Sequence, residues 1–249
     1  MNPIAYFFSF LTITVIIIAF NVQLPPITDA LSQEIIARRK AYVASISPTA
    51  RIIVNNGTHL FFMDDSKQIF GLDDSGKTYS FSGLNSMSVY KDCIKLMHND
   101  SISLCIGREN PDQDITFSLD HVSIIAIKAE LLPVLRKNLY VELQKYGVSP
   151  THECEHDGEI WGCDLNSKKF YTACGYFSVY NFSDLRRVTI EDLRDNPLYD
   201  GSYIIHVYVK WYEDEEEYEE EYDIHFALKD ATFDNLLAMF KGIRNRRNE

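Results

Sequence analysis

The sequence predicts a mainly β (α+β) chain: an N-terminal transmembrane helix followed by two tandem β-domains, each with a C-terminal helix. Three observations carry this. Residues 4–20 form an apolar run without a charge. One stretch of the chain occurs twice, at an offset of 101 residues. Within each copy, short apolar runs alternate with turn-forming clusters and end in one amphipathic helical stretch, the order of an antiparallel meander covered by a helix.

The N-terminal run, I-A-Y-F-F-S-F-L-T-I-T-V-I-I-I-A-F, continues uncharged to Ile27. Roughly seventeen to twenty helical residues reach about 25–30 Å, enough to cross a hydrocarbon core. In lipid the helix wins over the strand that these aromatic and β-branched residues favour in water, because every backbone polar group must be satisfied within the segment. A cleaved signal peptide would want a basic n-region and a nearby small-x-small site. Met-Asn-Pro has no basic side chain, and the first suitable site follows Ala30. The expectation is therefore an uncleaved anchor over 1–27, in contact with the bilayer through residues 4–20. Arg38, Arg39 and Lys40 follow the span and nothing basic precedes it, which places the rest of the chain in the cytoplasm. Five cysteines, an odd number without framework spacing, also fit a reducing compartment.

Residues 28–56 read as a juxtamembrane helix and linker. Asp29 is its cap, Leu31, Ile35, Ile36 and Val43 fall near one face, and the Arg38, Arg39, Lys40 cluster is placed to meet anionic headgroups. The first β-domain is expected over 57–147, with strands at 59–63, 68–72, 77–81, 86–91, 93–97, 102–106 and 115–119. A helix over 122–146 follows, striped by Leu132, Leu135, Leu139 and Leu143, with Pro133 starting or kinking its last segment. Residues 148–157, rich in carboxylates, read as a solvated linker. The second domain, 158–249, repeats the order: strands near 159–163, 168–173, 176–181, 186–191, 203–211 and 220–228, then a helix over 231–244. Phe81 falls on Phe182, Leu84 on Leu185, and, at an offset of 100, Asp64 on Asp164 and Phe70 on Phe170.

Two motifs, L-F-F-M-D-D-S-K-Q-I-F and Y-S-F-S-G-L-N-S-M-S-V-Y-K-D, carry a resemblance. They resemble the pleckstrin-homology-like β-domains of many uncharacterised bacterial membrane-anchored proteins. Those show an apolar-Asp start to one strand and Tyr-x-Phe-x-Asp-Leu before another. The second copy, with Asp164, Phe170 and F-S-D-L at 182–185, is the nearer match; the first has Gly83 in place of the Asp. The resemblance implies two small bent barrels serving as binding scaffolds, and it transfers no active site.

Three candidate sites follow from residue types. Gly71-Leu-Asp-Asp-Ser-Gly-Lys77-Thr78 satisfies the phosphate-loop pattern. A phosphate loop needs a helix behind it, whereas T-Y-S-F-S alternates like a strand, so a turn with a surface lysine and no nucleotide is expected. His152, Cys154, His156 and Cys163 are zinc-type ligands, but alternate residues of an extended segment form no tetrahedron, so no metal or other cofactor is assigned. Residues 213–223 hold nine carboxylates in eleven positions, including Glu213, Asp214, Glu215, Glu216, Glu217, Glu219, Glu220 and Glu221. They read as a solvated hairpin tip or as a face that docks a basic partner. Nearly all of the net charge of −12 lies in the second half, where 22 acidic residues meet 11 basic ones, and that field disfavours nucleic acid. No nucleophile or triad context is present, so catalysis has no residues to rest on. The reading is a single-pass cell-membrane protein, non-enzymatic, with recognition or scaffold domains in the cytoplasm. The alternatives are a divergent enzyme with a site in the inter-domain cleft, or a secreted or periplasmic binding protein if the N-terminus is cleaved.

Overall fold

The computed structural model describes residues 25–56, 59–72, 77–90, 100–106, 115–195, 203–213 and 216–247 of the 249-residue chain. The run at 4–20 and the strand expected at 93–97 lie outside the described residues. Among the described residues no helix is long and apolar enough to cross a membrane.

Among the described residues the architecture is mainly β, with four antiparallel sheets and three α-helices. Helix α1 (Pro25–Ile46) leads into β1 (Arg51–Asn55), β2 (Leu60–Asp64), β3 (Ile69–Leu72) and β4 (Thr78–Ser80), a sheet in sequence order. A 3-10 turn at Phe81–Gly83 passes the chain to a second sheet of β5 (Leu84–Tyr90), β6 (Asp100–Ile106) and β7 (Ile115–Leu119), and α2 (His121–Lys145) closes the unit. The order then repeats. Strands β8 (His152–His156), β9 (Glu159–Asp164), β10 (Lys169–Cys174) and β11 (Tyr176–Asn181) form one sheet. After a 3-10 turn at Phe182–Asp184 come β12 (Leu185–Asp192), β13 (Tyr203–Glu213), β14 (Glu216–Phe226) and α3 (Ala231–Arg246).

Equivalent residues do equivalent work. The N–H of Phe81 donates to the Gln68 carbonyl at 2.8 Å, and that of Phe182 to the Lys168 carbonyl at 2.9 Å. Gln68 and Lys168 both turn their hairpins with positive φ, 55° and 53°. Phe81, Leu84, Phe182 and Leu185 are all buried. Asp120 and Asp230 each cap a closing helix, accepting from the N–H three residues on at 2.9 Å. One pair of positions is filled reciprocally. Phe62 lies opposite Gly71, while Gly162 lies opposite Tyr171. A Cβ on Gly71 would come within 2.2 Å of the Phe62 ring, and one on Gly162 within 2.2 Å of the Tyr171 hydroxyl. The ring has changed strands while the space it fills has stayed.

Several expectations are corrected. Among the described residues no sheet closes into a barrel: in each copy a 3-10 turn stands between the last strand of the first sheet and the first strand of the second, and the two sheets remain separate. The first strand of each copy lies in a stretch read as a linker. Strand β1 pairs with β2 and β8 with β9, the latter through the tight turn Asp157-Gly158, both at positive φ. Helix α1 packs on the first sheet instead of serving only as a juxtamembrane linker. Val43 packs with Leu60 and Phe62, the Asn55 amide donates to the Ile36 carbonyl at 3.3 Å, and Arg39 is buried. Arg38 and Lys40 remain exposed. Helix α2 runs through Pro133 without ending, and its buried stripe is Ile124, Ile127, Leu131, Leu135, Leu139 and Leu143; Leu132 is only partly buried.

The copies share a core. On the β8–β11 sheet, Trp161, Cys163 and Phe170 face α3, whereas Ile160, Tyr171 and Ala173 join the core of the first copy. The Val89 N–H donates to the Asp157 carbonyl at 2.7 Å, and the Ser86 hydroxyl to the Gly175 carbonyl at 2.6 Å. Each copy's first sheet thus has its outer face covered by what precedes it, α1 in one case and the whole first copy in the other.

Candidate functional site

Strand β8 explains its own alternation, H-E-C-E-H. Glu153 and Glu155 face the first copy, where Arg136 Nε meets Glu153 Oε1 at 3.0 Å and Lys128 Nζ meets Glu155 Oε1 at 2.7 Å. The hydroxyls of Tyr140 and Tyr171 also donate to Glu153, at 3.0 and 3.2 Å. His152 and Cys154 face the other way and, with Cys163, Met239 and Arg246, line a cavity of about 560 Å³ between β8 and α3. His156 is held elsewhere: its ring stacks on Phe226 at 3.8 Å and its Nε2 lies 2.6 Å from the His225 carbonyl. Burial pushes both thiols up, that of Cys163 to about 11. No disulfide joins the four described cysteines. The diverted His156 imidazole leaves His152, Cys154 and Cys163 as the zinc-type side chains of this cavity.

The aspartates that mark the repeat serve the fold. Asp64 accepts from the hydroxyls of Ser47, of Ser66 at 2.6 Å and of Thr49 at 2.6 Å, which hold its carboxyl well below the usual range. Burial raises Asp164, but the Ser149 N–H at 3.0 Å and the Ser167 hydroxyl at 2.8 Å outweigh it and leave the group lowered. Asp184 accepts from the Asn181 N–H at 2.8 Å and so caps the 3-10 turn. In the first copy, where Gly83 stands instead, the Ser80 hydroxyl accepts from the Ser82 N–H at 3.3 Å. Of the phosphate-loop pattern, Asp73 to Gly76 lie outside the described residues. Thr78 opens a strand, so no helix N-terminus follows Lys77.

Of the acidic run, Glu213 ends β13 and the residues from Glu216 onward belong to β14. The register continues from Tyr203 opposite Phe226 out to Glu213 opposite Glu216; Asp214 and Glu215 lie outside the described residues. Its charges are compensated from neighbouring strands. Arg186 pairs with Glu217, Arg187 approaches Glu219 at 3.6 Å, and the Tyr212 hydroxyl donates to Glu217 at 2.8 Å. The Tyr218 hydroxyl reaches Glu216 at 2.8 Å, and Trp211 stacks on Tyr218 with centroids 4.8 Å apart. The basic tail is engaged elsewhere: Arg247 Nη1 donates to the Leu185 carbonyl at 3.0 Å and Arg246 lines the β8 cavity.

Two further features had no signal in the one-dimensional pattern. On the outer face of β12–β14, His206 Nδ1 lies 2.7 Å from Asp223 Oδ1 and 3.1 Å from Glu221 Oε1, while Nε2 lies 3.3 Å from Glu191 Oε2. Burial lowers the imidazole, but these carboxylates outweigh it and leave His206 raised. The ligand atoms of His206, Glu221 and Asp223 lie within 4.8 Å of one another. The second feature is a cavity of about 560 Å³ at the far end of the hairpin, walled by Tyr176, Tyr180 and Trp211 with Glu219 and Glu220. Cross-strand pairing at an offset fixed only by the fold assembles both. No family model and no curated protein matches this chain.

Proposed function

We propose that the chain is a membrane-anchored recognition or scaffold protein without a catalytic role. In this reading residues 4–20 hold it in the membrane, and two tandem pleckstrin-homology-like domains act in the cytoplasm, the second docking a basic protein surface. The observation that carries the reading is the β13–β14 hairpin, whose ladder persists to Glu213 and Glu216 beyond the last buried pair. A paired strand holds Glu216, Glu217, Glu219, Glu220 and Glu221 in a fixed array, where a loose tip would not. Glu216 and Glu220 lie on one face and Glu217, Glu219 and Glu221 on the other, where Arg186 and Arg187 meet two of them, and carboxylates fixed in place give a basic partner both orientation and a steered approach. The raised thiols of Cys154 and Cys163 also favour binding over nucleophilic chemistry.

The test replaces those five glutamates by glutamine in the full chain, extracted in detergent, and identifies the proteins that copurify with each form. Basic partners should be recovered with the parent protein, lost with rising salt, and depleted with the variant. Equal recovery from a folded variant would refute the docking role.

A further inference from the structure

We propose that the cavity between the far end of the β13–β14 hairpin and the edge strand β11 binds an arginine side chain presented by a basic protein segment. This rests on the docking role proposed above and names the chemistry the face takes. The inner face of the hairpin reads Val207, Val209, Trp211 on one strand and Tyr222, Glu220, Tyr218 on the other, with Val209 opposite Glu220 and Trp211 opposite Tyr218. Val207, Val209 and Tyr222 belong to the core, but Trp211 and Tyr218 are 38% and 40% exposed. Across from them stands Tyr176, 50% exposed, and Tyr146 closes a further side against Phe177 at 6.0 Å.

Large aromatic rings left open to water around a cavity of about 560 Å³ need a reason. Their faces carry negative potential, and the tryptophan face carries the most. The Glu220 carboxylate between them is aimed by two phenols, the Tyr176 hydroxyl and the Tyr180 hydroxyl, the latter at 3.0 Å. Glu219 stands at the rim. Ring faces with carboxylates beyond them fit a flat cation on an apolar stem, which is the guanidinium of arginine. A choline headgroup would also offer a cation to the rings. Its phosphate, however, would enter the half of the chain that carries nearly all of the net charge of −12.

The full chain in maltoside micelles is titrated into a fluorescein-labelled Gly-Ser peptide bearing arginines, and into its citrulline counterpart, of the same shape without the charge. The arginine peptide should bind saturably and the citrulline peptide at least about tenfold more weakly, since ring contacts and ion pairing are lost together. Trp211→Ala and Glu220→Gln should each cost about tenfold as well, while Glu217→Gln and Glu221→Gln, on the opposite face, cost no more than about threefold. Trp161 is buried in the core, so a peptide-dependent change in indole emission reports Trp211 directly and does not depend on any variant folding. Equal binding of the two peptides would overturn the proposal. Binding that falls in the five-glutamine variant but ignores Trp211→Ala and Glu220→Gln would overturn the cavity and leave the acidic face standing. Absence of binding to either peptide would overturn both. Displacement of the peptide by phosphatidylcholine vesicles would assign the cavity to a lipid headgroup and refute the arginine.

Discussion

Glu159→Gln should stabilise the protein at pH 8 and do little at pH 5. Glu159 opens β9 opposite His156, beside the turn where Gly158 presses on Met87 of the first copy. Burial pushes its carboxyl up to about 7, against smaller opposing contributions from the Cys174 thiol and the Ser88 hydroxyl. A carboxyl raised in the folded state contributes stability that is fully present below its unfolded value of about 4.5, is lost as pH rises to about 7, and stays lost above that. A rise of that size amounts to roughly 3 kcal/mol in all, of which ~2.5 kcal/mol falls between pH 5 and pH 8. Glutamine has the same shape and no charge, so the variant escapes this loss. Its amide nitrogen meets donors where an oxygen accepted, a pH-independent cost of about 1 kcal/mol. The informative quantity is therefore the change in the gap between variant and parent across the two pH values. Urea denaturation at pH 5 and pH 8 measures it, with a gap expected to move by about 2–3 kcal/mol in favour of glutamine. A gap that stays constant within ~0.5 kcal/mol would show that this carboxyl is not raised by burial at the junction of the copies.

Four other outcomes are expected. Gly158→Ala, at φ 90° with a Cβ 2.9 Å from the Met87 carbonyl oxygen, should cost about 1–3 kcal/mol in urea denaturation. Gly147→Ala, also at positive φ but with open space around it, should cost no more than about 1 kcal/mol. In an NMR titration His206 should titrate above the ordinary 6.5, sustained by Asp223, Glu191 and Glu221, and His225 below it because burial disfavours its charge. The hairpin should accordingly lose the stabilisation from His206 as pH rises through that raised value. If the proposed cytoplasmic placement holds, Lys40→Cys at an exposed position of α1 should escape a membrane-impermeant maleimide in intact cells and react after lysis; labelling in intact cells would refute that placement.

The sequence was most informative where a local pattern and its burial agree. Strand β11 falls at 176–181 as expected, α3 within two residues of expectation, and the repeat locates Phe81, Phe182, Leu84 and Leu185 in the core. It misled where a strand's character depends on partners far along the chain. The residues of β8 look solvated because Glu153 and Glu155 answer Arg136 and Lys128 on a helix of the other copy. The legible signal there was the turn: Asp157-Gly158 after β8, and Asn56-Gly57 in the corresponding place after β1, are the dipeptides that tight hairpins favour. Hydropathy alone likewise presents the carboxylates of 216–219 as a loop, since the compensating Arg186 and Arg187 sit on β12. Arg39 reads as a surface cation until α1 is laid on β1 and β2.

The sheet of β8–β11 faces two cores at once, and this separates the unit of inheritance from the unit of melting. A fragment ending near residue 147 would leave Leu84, Met87 and Ile102 without the Ile160, Tyr171 and Ala173 that complete their cluster. A fragment beginning there would carry those three as an uncovered apolar wall. Neither half is then a self-sufficient globule, although each holds a full set of strands and a helix. Heat absorbed on unfolding should therefore appear as one peak, with no shoulder for either repeat. A chain assembled by doubling has in this way lost the option of being halved.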